Sequence, residues 1–214
     1  MKERPILFSG PMILAILDGS KTQTRRVVKQ VATEPSPALA VCRCAADDTW
    51  IAWWGDAPKQ QTWQQVTDER YPDGGGFKCP HGKPGDRLWV RETWAIATAE
   101  SQAEFNKLAE VAWYRADGER DIKWRPSIFM PRWASRITLE IVNVRVERLQ
   151  EVSESDALAE GIQIDPDTSH CIPGEEIGIS DPVEAYAYLW DRIHGIGSWG
   201  RNDWVWVIEF KRLL

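Results

Sequence analysis

Cationic and hydroxyl side chains crowd one short stretch of this 214-residue chain: Lys21, Thr22, Thr24, Arg25, Arg26 and Lys29 fall within nine residues. Ammonium and guanidinium groups at that density can hold an anion, because each donates several charge-assisted hydrogen bonds. Lys123, Arg125, Arg132 and Arg136 form a second group, followed by Arg145 and Arg148. The acidic side chains collect between Glu151 and Asp167 and between Glu175 and Glu184, and read as solvated faces. Asp165, Asp167 and Asp181 match no calcium-loop spacing, so an acidic loop is expected there. A third constellation is Cys42-x-Cys44 with Cys79-x-His81, joined later by His170-Cys171. Zinc takes four sulfur or nitrogen ligands, usually with two to four residues between paired ligands. Here one residue intervenes, although alternate residues of a strand do share a face. The expectation is reduced thiols and no cofactor; Cys42, Cys44, Cys79 and His81 are the candidates should a structural zinc be bound.

The whole composition bounds these readings. Net charge is −6, from 26 basic and 32 acidic side chains. General polyanion binders carry excess positive charge, so nucleic-acid contact would have to be local. A hydrophobic fraction of 43% supports a packed core and argues against wholesale disorder. No apolar run is long enough to cross a membrane. Met1 to Pro5 opens no signal peptide, so a cytoplasmic protein without a membrane partner is expected. Tryptophan is enriched, 13 residues against 4 Tyr and 5 Phe. The length suits one domain over residues 1–214.

The elements that must position these groups follow from periodicity. Ile6 to Ser9 reads as a strand, and Gly10-Pro11 opens a helix with Met12, Ile13, Ile16 and Leu17 on one face and Gly19 as its stop. Lys21 to Lys29 reads as a turn into a strand. Residues 30–84, punctuated by Pro and Gly, read as an insertion, with Thr49 to Trp54 and Gln61 to Val66 as a hairpin. Arg87 to Arg91 alternates as a strand, 99–110 reads as a helix, and Val111 to Arg115 and Ile128 to Arg132 as short strands. Ile137 to Gln150 alternates over a long stretch, with a bulge expected near Val142-Asn143. A short helix capped by Ser153 or Ser155 ends at Glu160 before Gly161, and a longer one runs from Asp181-Pro182 to Ile193. His194 then reads as a cap or surface residue. Trp204, Trp206, Ile208 and Phe210 share one face of a last strand. Many short strands with few helices predict a mixed α+β protein, a small β-barrel with short helices at its mouth.

The stretch Gly19-Ser20-Lys21-Thr22-Gln23-Thr24-Arg25-Arg26 resembles the signature of the ASCH domain family (activating signal cointegrator homology), as do Gly85-Asp86 before a strand and the terminal Trp206 to Phe210. The resemblance covers residues 5–29, 85–91 and 136–212 and implies a PUA-like barrel, a fold associated with RNA and modified nucleotides. Residues 30–84 and 92–135 are then two insertions. With Phe129 to Arg136 the layout resembles ASCH proteins of tailed bacteriophages and prophages. One branch, the bacterial N4-acetylcytidine amidohydrolases, carries Gly-x-Lys-Thr-x-Thr-x-Arg with catalytic Lys, Thr and a later Glu. That branch implies catalytic roles for Lys21, Thr24 and, on a looser alignment, Glu160, with Glu154 second.

Hydrolysis of an acetyl amide needs a nucleophile, a base and an oxyanion stabiliser. Thr24 could supply the hydroxyl and Arg26 or backbone N–H groups the oxyanion contact, with Arg25 and Arg26 lowering the Lys21 pKa. A carboxylate at Glu160 would raise it. In an ideal strand residues 21 and 24 face opposite ways, so a turn has to bring them together. Two other readings compete. One is a non-catalytic RNA or DNA reader, binding phosphate through Lys21, Arg25, Arg26, Arg132 and Arg136 and stacking bases on aromatics, Trp133 foremost. The other is a phage accessory protein that binds a host protein through Trp50, Trp53, Trp54 and Trp63.

Overall fold

The computed structural model describes residues 1–29, 79–96, 112–163 and 179–213, and, as backbone, 39–44, 49–54, 164, 170–171 and 178. In chain order the elements are β1 (Glu3–Leu7), α1 (Gly10–Asp18), β2 (Gln23–Val27), β3 (Leu39–Cys44), β4 (Thr49–Trp54), β5 (Arg87–Arg91), β6 (Trp94–Ile96), β7 (Ala112–Tyr114), β8 (Thr138–Arg148), α2 (Glu154–Ala159), β9 (Gln163–Ile164), β10 (His170–Cys171), β11 (Gly178–Ile179), α3 (Pro182–His194) and β12 (Trp204–Leu213).

The central sheet has the order β1-β5-β8-β12-β2, with β1 and β5 parallel and the other neighbours antiparallel. Its longest pair, β8 with β12, shows how the sequence pattern becomes register. Ile208 stands opposite Val144, whereas Phe210 stands opposite Ile141, so Val142 is an extra residue. That bulge lets two odd-numbered apolar residues, Leu139 and Ile141, share a face with even-numbered Val144 and Val146. The bulge lies where the sequence places it, and Val142 itself points out to solvent.

Both faces of the sheet are covered. On one, Trp206, Ile208 and Phe210 pack with Ile6, Leu88, Val90 and, from α1, Ile13 and Ile16. On the other, Val205 and Val207 pack with Ala157 of α2 and with Ala185, Tyr186 and Trp190 of α3. A strand buried on both sides reads Trp-Val-Trp-Val-Ile rather than apolar-polar. α1 starts with Pro11 in its first turn and stops at Gly19, whose φ of 87° lies in the left-handed region. α2 is closed by a reciprocal capping box between Ser153 and Asp156. α3 begins at Asp181, whose carboxylate accepts from the N–H groups of Val183 and Glu184.

The structure is thus mixed α+β around one five-stranded sheet, and among the described residues that sheet is open rather than closed into a barrel. Its two edge strands nevertheless face each other. Arg26 of β2 reaches across to β1, where its Nη2 donates to the Leu7 carbonyl at 2.7 Å.

Two expectations change. Ile128 to Arg132 is not a strand: Ser127–Phe129 and Arg132–Ala134 are 3-10 turns. Pro126 and Pro131, which have no N–H for a ladder, precede each of them. Thr49–Trp54 does form a hairpin, but its partner is Leu39–Cys44; the 61–66 segment lies outside the described residues, as does the expected helix over 99–110.

Candidate functional site

The end of α1 and the end of α2 meet beside β2. Lys21 follows the Gly19 stop, and its own N–H donates to Ala15 O at 2.8 Å, which turns the side chain inward. The Lys21 side chain has no solvent exposure. Its Nζ donates to Gln23 O at 2.8 Å, to Glu160 O at 2.7 Å and to Glu160 Oε2 at 2.7 Å. An ammonium has three donors, so all are used. Glu160 is the residue that ends α2 and is buried, whereas Glu154 in the first turn is exposed. Between the two candidates drawn from the sequence, Glu160 is the one beside Lys21.

Gly161 makes that approach feasible. Its φ is +98°, and a Cβ there would lie 3.2 Å from Ala15 Cβ and 3.3 Å from Lys21 Cβ. Gly161→Ala is therefore expected to cost about 2 kcal/mol or more, from left-handed strain plus crowding. Urea unfolding should read this as a lower midpoint at unchanged slope; a shift worth less than about 0.5 kcal/mol would mean that the segment moves aside freely.

The other Glu160 oxygen, Oε1, accepts from Arg25 Nη1 at 3.2 Å. Arg25 also binds the Glu147 carboxylate through Nε and Nη2, and lies 3.3 Å from Asp156 Oδ2. Its guanidinium sits over the Tyr186 ring, 5.7 Å from the centroid. Arg145 extends the chain of charges to Glu147, Asp156 and Glu209. Lys21, Arg25 and Glu160 are each 2–3% exposed.

Burial, the largest influence, pulls the Lys21 ammonium below the usual lysine range. Glu160 acts against it, while Arg26 and Arg25 add to the downward pull. Opposed in the sequence reading, these influences have a net downward direction. For Arg25, burial works against the charge, but Glu160 and Glu147 more than offset it and the group stays a cation.

Thr24 stands opposite Ile208 on β2 and is buried. With Arg26, Glu160, Tyr186, Trp190 and His194 it lines a cavity of about 20 Å³, room for about one water molecule. A second space, a cleft of about 630 Å³ between the two sheet edges, shares Arg26 and His194 with it as lining residues. The His194 ring packs on Trp190, 4.1 Å between centroids. His194 ends α3 and is exposed, as expected of a surface residue, and it lines both spaces.

Thr24, Arg25, Arg26 and Glu160 thus line one cavity, and Lys21 reaches it through Glu160, although the chain separates Lys21 from Glu160 by 139 positions. Arg132, Trp133 and Arg136 are elsewhere. Arg136 makes a two-pronged contact with buried Glu92, at 2.9 Å on each prong, and pairs with Asp117. Arg132 pairs with Glu3 at 3.0 Å, and Trp133 meets Trp94 edge-on. Of the four metal candidates, Cys79 and His81 are described with their side chains, and burial pushes the Cys79 thiol up to about 11. The Cys42 and Cys44 side chains lie outside the described residues. Among the described residues no three His, Cys, Asp or Glu side chains group as a metal site. Nor is any described helix long and apolar enough to cross a membrane. Tyr186, Glu147 and His194 belong to the site but carry no local sequence signal, because tertiary packing alone brings them there.

Comparison of the chain with protein-family models, with curated proteins and with solved structures finds no match.

Proposed function

We propose that this is an ASCH-like protein that hydrolyses the acyl amide of a modified nucleobase, N4-acetylcytidine being the representative substrate. The observation that carries the reading is the buried contact of Lys21 with Glu160, at 2.7 Å, Glu160 in turn lining the cavity it shares with Thr24 and two arginines. A core gains little from burying an ion pair, since desolvation offsets most of the attraction. Amide cleavage by a threonine requires, by contrast, a lysine with a lowered pKa to take the hydroxyl proton.

In this mechanism neutral Lys21 takes the Thr24 proton as Oγ1 attacks the acetyl carbon. The tetrahedral oxyanion faces the Arg26 guanidinium. Lys21 then returns the proton to the departing exocyclic amine, which leaves as cytidine. Water attacks the acetyl-threonine ester, releases acetate and restores the Thr24 hydroxyl. Glu160 holds Lys21 through its carboxylate and its own carbonyl. The small cavity beside Thr24 has to widen for a base to enter, and the Trp190–His194 end of α3 is the wall that faces the cleft.

The pH dependence follows from the direction of the Lys21 shift. The active form is the neutral amine, so kcat rises with pH and levels off once Lys21 has lost its proton, below the ordinary lysine range. Acetate release measured from pH 6 to 10 should show this ascending limb. A rate that stays flat or falls over that span rejects Lys21 as the base.

A nucleotide reader without turnover is the second reading, and the 20 Å³ cavity favours it, because no base fits there as the site stands. Binding of cytidine ligands with no acetate release from acetylated ones would establish it.

A further inference from the structure

The large cleft has chemistry of its own. It is bounded by the outer edges of β1 and β2, through Leu7 on one side and Arg26 on the other. Pro80, His81 and His194 line it as well, as does Lys29, which is exposed. No carboxylate lines it among the described residues, although the chain as a whole is acidic. A volume near 630 Å³ suits a ligand of nucleotide size.

Two further observations bear on what enters. Burial first, and then the positive charges of Arg26, Arg4 and Lys29, bring His81 down to about 4, which marks a positive field in the cleft. Arg4 is itself paired with Asp86 at 2.9 Å, so Arg26 and Lys29 are the cations more available to a ligand. The ladder between β2 and β12 includes the bonds Val28 N–H to Trp204 O and Phe210 N–H to Thr22 O. By antiparallel alternation the peptide groups of Arg25 and Val27 point away from β12, toward the cleft side, where they can meet ribose hydroxyls.

Arg26 lines both spaces. A ligand whose base reaches Thr24 therefore leaves its sugar and phosphate in the cleft. We propose that the cleft between β1 and β2 is a phosphate subsite formed by Arg26, Lys29 and His81, so that the substrate is a nucleotide, free or within a strand, rather than a bare nucleoside. The phosphate subsite rests on the amidohydrolase reading only for the identity of the base.

The test compares N4-acetylcytidine, its 5′-monophosphate and a short RNA carrying one acetylcytidine, on wild type and Lys29→Gln. The ratio of kcat/KM for phosphorylated over bare substrate is read within each protein. About tenfold or more is expected in wild type, falling below about threefold in Lys29→Gln. Preference for the RNA assigns a phosphodiester, and preference for the monophosphate assigns a monoester. A ratio near one in both proteins overturns the subsite. Should no substrate be turned over, calorimetry with CMP and cytidine reads the subsite directly: CMP binding about tenfold tighter, with the difference lost in Lys29→Gln, retains it while the hydrolase reading falls. Equal affinities for CMP and cytidine dispose of the subsite as well.

Discussion

Glu160→Gln is expected to destabilise the protein by about 3–5 kcal/mol, the loss seen when one partner of a buried ion pair is removed. The reason is the asymmetry of the network. Arg25 would retain Glu147 and Asp156. Lys21 has Glu160 alone as its described carboxylate partner and is wholly enclosed. The amide would keep the shape of the side chain but remove the charge, leaving an ammonium among neutral acceptors with Arg25 and Arg26 nearby. For a chain of this length the midpoint of thermal unfolding should fall by roughly 6–20 °C. Lys21→Met should cost less, because Glu160 would still accept from Arg25 at 3.2 Å. In the double variant Lys21→Met/Glu160→Gln the two losses should not add, since the orphaned charge is gone. Urea unfolding of the three variants measures this order. If Glu160→Gln costs under about 1 kcal/mol, or less than Lys21→Met, the pair is not the electrostatic centre described above.

How far the sequence leads to this site can be seen residue by residue. The alternation in 137–150 and 204–210 places β8 and β12, and even the bulge at Val142, because period and phase are local properties of a buried strand. The stop at Gly19 and the short helix before Gly161 are also local, so the two segments that carry Lys21 and Glu160 are legible. Their contact is not. Nothing in the spacing says that the end of α2 packs on the end of α1; the resemblance suggests it, and Gly161 against Ala15 and Lys21 is what makes it fit. The Arg25 environment is less legible still. Glu147 is just another residue of an alternating strand and Tyr186 just another on an apolar helical stripe, until sheet register sets both around one guanidinium. Conversely, Arg132, Trp133 and Arg136 look like a binding surface because basic and aromatic residues adjoin. In the fold Arg136 pairs bidentately with Glu92, while Arg132 and Trp133 stay about half exposed. Charge in a sequence marks where ion pairs can form, and only the fold tells which of them already have.

Thr24→Ala is expected to lower kcat for acetate release by about a thousandfold or more, the scale on which loss of an activated nucleophile is felt. Thr24→Ser, which keeps the hydroxyl, should recover much of that loss. The fold should barely notice either change: the hydroxyl belongs to no described ion pair, and the strand position opposite Ile208 is kept. Lys21→Ala should lower kcat comparably, but with an added stability loss, because the emptied space lies beside a buried carboxylate. This difference separates chemistry from support. If Lys21 only held Glu160 in place, Lys21→Ala would unfold more easily yet its surviving fraction would turn over at near wild-type rate. As the base, it should lose the ascending limb of the pH profile as well as the rate. The double variant Thr24→Ala/Lys21→Ala should then be little slower than either single one, since a nucleophile and its base fail as a unit. Independent, multiplying losses would mean that the two residues serve different steps, and an undiminished rate in Thr24→Ala would remove the covalent ester from the mechanism.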